Sequence, residues 1–195
     1  MMSKVPYWFG SLPSYGDAPE DIRTTIETVR EKSGFIPNVF TLLADKPEEF
    51  RAFFAYHDAL LSAEGTLSKA EKEMIIVSTS AANSCIYCVV AHGAILRVRS
   101  KNPIISDQLA VDFEMADISE RERVMLHFAH KVSLHAQEIS AEDFEPLYDH
   151  GFTDDDIWTI GSLAAFFALS NRLAGMSRLK PNREFYSLGR SIPES

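Results

Sequence analysis

One short segment of the chain holds the residue types that can perform redox chemistry. Residues 83–92 read NSCIYCVVAH and contain both cysteines of the 195-residue chain. In a helix, Cys85, Cys88 and His92 lie on one face, because their spacing is i, i+3 and i+7. Two thiols so placed can open and close as a disulfide, and a C-x-x-C pair lowers the pKa of one thiol, which favours the nucleophilic thiolate. The segment therefore predicts dithiol redox chemistry at Cys85 and Cys88.

Two helices are needed to position these side chains. Residues 68–71 (SKAE) form a capping box, which predicts a helix that continues to about residue 82. Ser84 is expected to cap the next helix, which runs to about residue 99. That cap would place both cysteines in a first helical turn, where unpaired N–H groups and the helix dipole stabilise a thiolate.

Glu73 is the fourth candidate site residue. If the chain reverses at Asn83 and Ser84, the two helices are antiparallel, and Glu73 and His92 stand at similar heights at about 1.5 Å rise per residue. We expect Glu73 to be partly buried, within direct or one-water reach of His92 or Cys88. There a carboxylate orients the imidazole or accepts a proton, while His92 acts on Cys88.

Plainer interpretations of the same residues remain open. Cys85, Cys88, His92 and Glu73 could together ligate zinc, or the cysteines could be inert core residues. Glu73 could be solvent-exposed, because it belongs to a charged run, residues 71–73 (EKE). The remaining histidines show no partner pattern and are interpreted as structural: they are His57, His127, His130, His135 and His150.

Composition limits the functional class. The formal net charge is −9, and no long cluster of Lys and Arg occurs, so neither nucleic acid nor an anionic membrane is expected as a partner. The longest apolar stretch, residues 157–170, is shorter than the roughly 20 residues of a membrane span, which indicates a core helix. Residues 1–16 show no signal-peptide pattern, and two cysteines do not make a disulfide framework, so a cytoplasmic location is expected.

The chain is predicted to be an all-α, multi-helix bundle with a single domain. Strand alternation and hairpin turns are nearly absent, whereas helix caps recur along the sequence. Residues 1–16 are expected to form an irregular arm, and residues 17–195 the domain. The predicted helices span about residues 17–33, 37–44, 47–62, 68–82, 84–99, 103–112, 119–136, 141–149 and 154–176.

The motif and its surroundings resemble a known family. Glu73, twelve residues before Cys85, followed by Cys85-x-x-Cys88 and His92, is similar to the catalytic pattern of the alkylhydroperoxidase D-like, or carboxymuconolactone decarboxylase-like, superfamily. Three further segments resemble its peroxidase-related branch: residues 67–75 (LSKAEKEMI), 151–157 (GFTDDDI) and 171–174 (NRLA). Tyr87 stands where the better-understood hydroperoxidases carry a histidine. The resemblance covers roughly residues 20–180.

The resemblance implies a function for each site residue. Cys88 would be the peroxidatic thiol that passes through a sulfenic acid, Cys85 the resolving thiol, and Glu73 with His92 a proton relay. The activity implied is that of a thiol-dependent peroxidase, an antioxidant oxidoreductase of peroxiredoxin type with no bound cofactor or metal. Its partners would be a small-molecule peroxide and an external dithiol or protein reductant. Two alternatives are a zinc-holding or structural helical module and a disulfide reductase that does not use peroxide.

A homo-oligomer is also expected. The family implies one, and the arm at residues 5–9 (VPYWF) exposes an apolar cluster of the kind that marks an interface. The alternative is that this arm packs back on the helices of its own chain.

Overall fold

A computed structural model describes residues 5–6 and 8–190 of the chain, and in this part it contains helices and no strands. The all-α prediction is therefore confirmed. The helices are α1 (Glu20–Ser33), α2 (Asn38–Leu43), α3 (Pro47–Ser62), α4 (Lys69–Ala82), α5 (Ile86–Ser100), α6 (Ile105–Val111), α7 (Glu120–His135), α8 (Glu145–Asp149), α9 (Asp154–Ser177) and α10 (Glu184–Ser187). Short 3-10 turns occur at Phe113–Met115, Ala136–Glu138 and Ala141–Asp143.

Each helix predicted from the sequence is present, with ends that differ by a few residues. The last predicted segment but one, residues 141–149, is a 3-10 turn followed by the short helix α8. Helix α10 was not predicted, because four residues are too few to show a helical period. The buried Arg97 holds α10 in place by donating hydrogen bonds to the carbonyl oxygens of Phe185 and Leu188.

Helix α4 runs through the centre of the bundle, in contact with α5, α6, α7 and α9. All ten residues from Glu71 to Ser80 are buried, including the charged run at 71–73. The possibility that Glu73 is solvent-exposed is therefore wrong. Each charge has a partner: Glu71 closes the capping box and pairs with Arg121, and the Lys72 ammonium donates to three carbonyl oxygens at the end of α3.

Helix α9 begins at a complete capping box formed by Thr153 and Asp156. Its 24 residues are long and apolar enough to cross a membrane by length and composition, but 61% of its most apolar window is buried inside the protein. It packs against α4 and α7. The helix therefore forms part of the core, as the sequence indicated, although it is longer than the apolar stretch from which it was recognised.

The arm that precedes α1 lies partly against its own chain. The Gly10 amide donates a hydrogen bond of 3.1 Å to the carbonyl oxygen of Ser177, at the end of α9. The Arg178 guanidinium lies over the Phe9 ring, 5.7 Å from its centroid. Val5 remains half exposed. Tyr7, which belongs to the apolar cluster of the arm, lies outside the described residues.

Candidate active site

The reversal between α4 and α5 is tight and depends on an unusual backbone conformation. Ser84 adopts φ = 55°, in the left-handed region that residues other than glycine rarely enter. Ser84 is therefore not the cap of α5, and that expectation is wrong. The residue at the N-cap position is Cys85, whose backbone is extended (φ −93°, ψ 93°) and whose amide donates to the carbonyl oxygen of Ser80.

The position of Cys85 activates its thiol. The largest cause is a hydrogen bond from the Cys88 thiol, and the backbone N–H groups of Cys88 and Tyr87 and the Asn171 side chain act in the same direction. Together they lower the pKa of Cys85 to about 6, against the opposing effect of burial. Of the two thiols, Cys85 is therefore the one that ionises more readily.

Cys88 has the opposite character. The hydrogen bond that it donates to Cys85 and the burial of its sulfur raise the pKa of Cys88 well above the usual range of a thiol. The Cys88 Sγ atom lies 3.8 Å from the Ser170 Oγ atom of α9. The Asn171 amide next to Ser170 favours the thiolate form of both cysteines. The dithiol therefore lies between the N-terminus of α5 and the polar side chains of Ser170 and Asn171 in α9.

Glu73 and His92 meet across the α4–α5 pair, as the helix heights predicted. The Glu73 carboxylate is fully buried, and its Oε2 atom lies 2.8 Å from the His92 Nδ1 atom. Its Oε1 atom accepts a hydrogen bond of 2.7 Å from the Arg99 guanidinium. Because a carboxylate only accepts hydrogen bonds, Nδ1 must carry a proton. In the neutral ring the Nε2 atom is then the one that can accept a proton.

A cavity of about 250 Å³ joins Cys88 and His92. Aromatic and aliphatic side chains form most of its wall, and Phe167 contacts the His92 ring edge-on, with centroids 4.7 Å apart. His57 of α3 also borders this cavity, 6.2 Å from the His92 ring. Burial, and then the proximity of His92, lowers the pKa of His57. The cavity thus combines an apolar wall with two imidazoles beside one thiol.

Tyr87 separates this cavity from a second one. Its side chain is buried, and its hydroxyl accepts a hydrogen bond from the Val39 amide at 3.1 Å. Burial raises the pKa of Tyr87, so the phenol stays neutral. Cys85 borders the second cavity and not the first, whereas Cys88 borders the first and not the second. The two cysteines therefore border two different cavities.

The possible zinc site depends on the same four residues. Within residues 5–6 and 8–190, no group of three or more His, Cys, Asp or Glu side chains is arranged to hold a metal ion. Glu73 is engaged by Arg99 and His92, so its carboxylate does not face the cysteines as a fourth ligand.

Several residues of the site were missed from the sequence. Arg99 lies seven residues after His92 and so shares its face, but the motif did not single it out as a partner of Glu73. Asn171 appeared only within the family-like segment 171–174, yet its amide lies beside both thiols. His57 carried no sequence signal, because it comes from a different helix. His130, by contrast, is structural as expected and lies 2.7 Å from the Ser78 hydroxyl.

Comparisons with known proteins show what the chain is similar to. Residues 47–131, which contain the cysteine pair, match the carboxymuconolactone decarboxylase family. No protein with a curated function matches the chain. A crystal structure from Ralstonia eutropha JMP134, described as an alkylhydroperoxidase AhpD core and an uncharacterized peroxidase-related protein, is 54% identical, with a TM-score of 0.91 over 94% of this chain and 96% of that chain.

Two further structures are similar over nearly the full length. An uncharacterized peroxidase-related protein from Silicibacter sp. TM1040 is 37% identical, with a TM-score of 0.88 over 97% of this chain and 100% of that one. The debrominase Bmp8, bound to 2,3,4-tribromopyrrole, shares the fold at 18% identity and a TM-score of 0.75, over 95% of this chain and 97% of that one. By its helical fold and its extensive identity with the Ralstonia protein, the chain belongs to the alkylhydroperoxidase D-like superfamily, which includes the carboxymuconolactone decarboxylase family.

Proposed function

We propose that the protein is a thiol-dependent peroxidase that reduces a hydroperoxide through the Cys85–Cys88 dithiol. The observation that carries this proposal is that Cys88 and His92 border one apolar cavity, while Glu73 holds the other side of the imidazole. A thiol, a positioned base and a small apolar space are the parts that reduction of an organic peroxide needs. The buried polar groups at the site are otherwise costly to maintain.

In the proposed first step, Cys88 loses its proton to the His92 Nε2 atom and attacks the distal oxygen of the peroxide. The O–O bond breaks, the oxygen atom transfers to sulfur as a sulfenic acid, and the alkoxide takes a proton to leave as an alcohol. Because nucleophilicity rises with thiol pKa, the raised pKa of Cys88 makes its thiolate more reactive once it has formed. Glu73 stabilises the imidazolium that appears in this step.

In the second step, the Cys85 thiolate attacks the Cys88 sulfenic acid. A disulfide forms, and the sulfenic oxygen leaves as water after it takes a proton. This step needs a thiolate close by at neutral pH, and the lowered pKa of Cys85 provides one. An external dithiol or protein reductant must then return the pair to its reduced form.

The role of each cysteine can be tested with two serine variants. We expect Cys88→Ser to abolish peroxide turnover and sulfenic-acid trapping, whereas Cys85→Ser keeps a trappable sulfenic acid at Cys88, because only Cys88 borders the cavity with His92. Peroxide consumption with a panel of dithiol donors measures turnover, and a sulfenic-acid probe followed by mass spectrometry locates the oxidised sulfur. A sulfenic acid that accumulates on Cys85 in the Cys88→Ser protein would reverse the two roles.

The same measurements separate the alternatives. A disulfide reductase that never uses peroxide would exchange its disulfide with thiols but form no sulfenic acid with any peroxide. A zinc-holding or structural module would show stoichiometric zinc and no disulfide driven by peroxide. We propose a cytoplasmic location, because reducing partners are available there. We also propose a homo-oligomer, because apolar side chains of α9, including Trp158, remain exposed.

A further inference from the structure

The second cavity, on the Cys85 side of the dithiol, has a different chemistry from the first. It measures about 610 Å³, within the range of roughly 300–1,000 Å³ that is typical of small-molecule sites. The N-terminal turn of α5 and the end of α9 form its walls. Three exposed cationic side chains border it, namely Arg178, Lys180 and Arg183. We call this cavity the cationic cleft.

The three cations lack acidic partners. The chain carries 28 acidic and 19 basic residues, and among the described residues eight Lys and Arg side chains form ion pairs with carboxylates. Among the described residues, however, no carboxylate forms an ion pair with Arg178, Lys180 or Arg183, and only the Phe9 ring lies against Arg178. The N-terminus of α5, which points its N–H groups toward Cys85, adds positive potential at the same place. The second cavity is therefore positively charged at its border, although the protein as a whole is acidic.

The wall that bears these cations is held in place. The Asn38 amide nitrogen Nδ2 donates to the carbonyl oxygen of Lys180, and the Asn38 backbone amide donates to the Asn182 side chain. The Leu179 amide in turn donates to the carbonyl oxygen of Ala174 in α9. The backbone of the segment between α9 and α10 is therefore held at the cavity that Cys85 borders.

We propose that the cationic cleft binds the reductant, and that the reductant is a small thiol that carries carboxylate groups. This inference rests on the proposed function, since it concerns the reducing half of the same cycle. Peroxide reaches Cys88 through the apolar cavity, and the anionic thiol reaches Cys85 from the other side. The carboxylates contact the three cations and bring the sulfur of the reductant to the disulfide.

The reduction consists of two thiol–disulfide exchanges. The thiolate of the reductant attacks the Cys85 sulfur, the Cys85–Cys88 bond breaks, and Cys88 leaves as a thiolate, which takes up the proton that the reductant released when it ionised. A second thiolate, from the same or another molecule, then attacks the sulfur of the reductant in the mixed disulfide. Cys85 is released as a thiolate, and the reductant leaves as its own disulfide, oxidised by two electrons.

The test separates the reducing half-reaction from peroxide chemistry. Diamide converts the reduced protein to its disulfide, and after its removal the rate of reduction is measured with three thiols that differ in charge: 3-mercaptopropionate, 2-mercaptoethanol and cysteamine. Rates are compared at equal thiolate concentration. We expect the anion to react fastest and the cation slowest, with the anion roughly tenfold faster than the neutral thiol at low salt and less so at high salt. Mass spectrometry of the quenched reaction should find the thiol attached to Cys85.

Two matched double variants locate the effect. Lys180→Gln with Arg183→Gln removes two charges from the cationic cleft, at side chains that contribute no described hydrogen bond of their own to the fold. Lys69→Gln with Lys101→Gln removes the same charge at the opposite end of α4 and α5, about 20 Å away at 1.5 Å per residue. We expect the first variant to lose the preference for the anionic thiol and the second to keep it.

Several outcomes would overturn the proposal. Equal rates for the three thiols at low salt, a preference that survives in the Lys180→Gln/Arg183→Gln protein, or a thiol found attached to Cys88 would each do so. A protein that forms the disulfide with diamide but not with any peroxide would overturn the peroxidase function alone, because the charge preference is still measured on the same disulfide.

Discussion

The Glu73→Gln substitution tests how the carboxylate controls His92. The two Glu73 oxygens accept from two different donors, the Arg99 guanidinium at 2.7 Å and the His92 Nδ1–H at 2.8 Å. Glutamine offers one oxygen and one NH₂ group to the same two partners. If its oxygen faces Arg99, its NH₂ group faces Nδ1, which must then act as the acceptor. The proton of the ring moves to Nε2, and His92 can no longer accept the proton of Cys88 from the cavity side.

The expected loss of rate follows from the free-energy difference between the two orientations of the glutamine amide. Turning the amide to restore the Nδ1–H donor sets an NH₂ group against the guanidinium and loses a charge-assisted hydrogen bond, at a cost of about 1.5–3 kcal/mol. That cost corresponds to a roughly ten- to hundredfold smaller population of the useful tautomer. Loss of the negative charge that stabilises the imidazolium adds to this. We therefore expect the rate of Cys88 oxidation to fall by roughly 10²-fold or more.

Glu71→Gln is the matched control. Glu71 lies on the same helix, is also buried and also pairs with an arginine, Arg121, but it contacts no histidine. Both variants should lose stability, and only Glu73→Gln should slow the oxidation measured by stopped-flow in a single turnover. The ¹⁵N shifts of His92 report the tautomer directly. A Glu73→Gln protein with the rate and pH profile of the wild type, or an equal loss of rate in Glu71→Gln, would refute this reasoning.

Two further predictions concern the thiols and the assembly. Because the pKa of Cys85 is lowered to about 6 and that of Cys88 is raised, the reduced protein should show one thiolate by ultraviolet absorbance at mildly alkaline pH, lost on acidification with a midpoint near that value. In Cys88→Ala the midpoint should rise, since the largest stabilising hydrogen bond is gone, and an unchanged midpoint would contradict this. Light scattering at micromolar concentration should show a multiple of the 21.9 kDa chain, and a monomer alone would refute the oligomer.

The helices and the pairing of Glu73 with His92 could be predicted because they depend on local rules. Capping boxes at Ser68 and Thr153 begin two of the main helices, and the short reversal at Ser84 fixes the relative height of α4 and α5. Once the turn is placed, a rise of about 1.5 Å per residue brings Glu73 level with His92. No long-range information is needed for either step.

The environment of the buried charges could not be predicted, because their partners are distant in sequence. Arg99 lies 26 residues from Glu73, and Arg121 lies 50 residues from Glu71. Without those partners a run of three charges at 71–73 also allows an exposed face, the alternative that the burial of Glu73 excludes. The ionisation of the cysteines was open for a related reason: it depends on which residue caps α5, and the left-handed backbone of Ser84 moves the cap to Cys85.

The N-cap position of Cys85 also explains why the two thiols differ in pKa and can perform different steps of the proposed reaction. A single cysteine cannot be both strongly ionised and strongly nucleophilic, because nucleophilicity falls as the pKa falls. Here the ionised thiol, Cys85, lies away from the apolar cavity, and the more basic thiol, Cys88, lies in it beside a base. In the proposed reaction, this difference lets Cys88 react strongly with a peroxide when His92 removes its proton, and lets Cys85 supply the thiolate that closes the disulfide. Rapid closure limits further oxidation of the sulfenic acid, because a sulfur in a disulfide is no longer exposed to a second peroxide as a sulfenate.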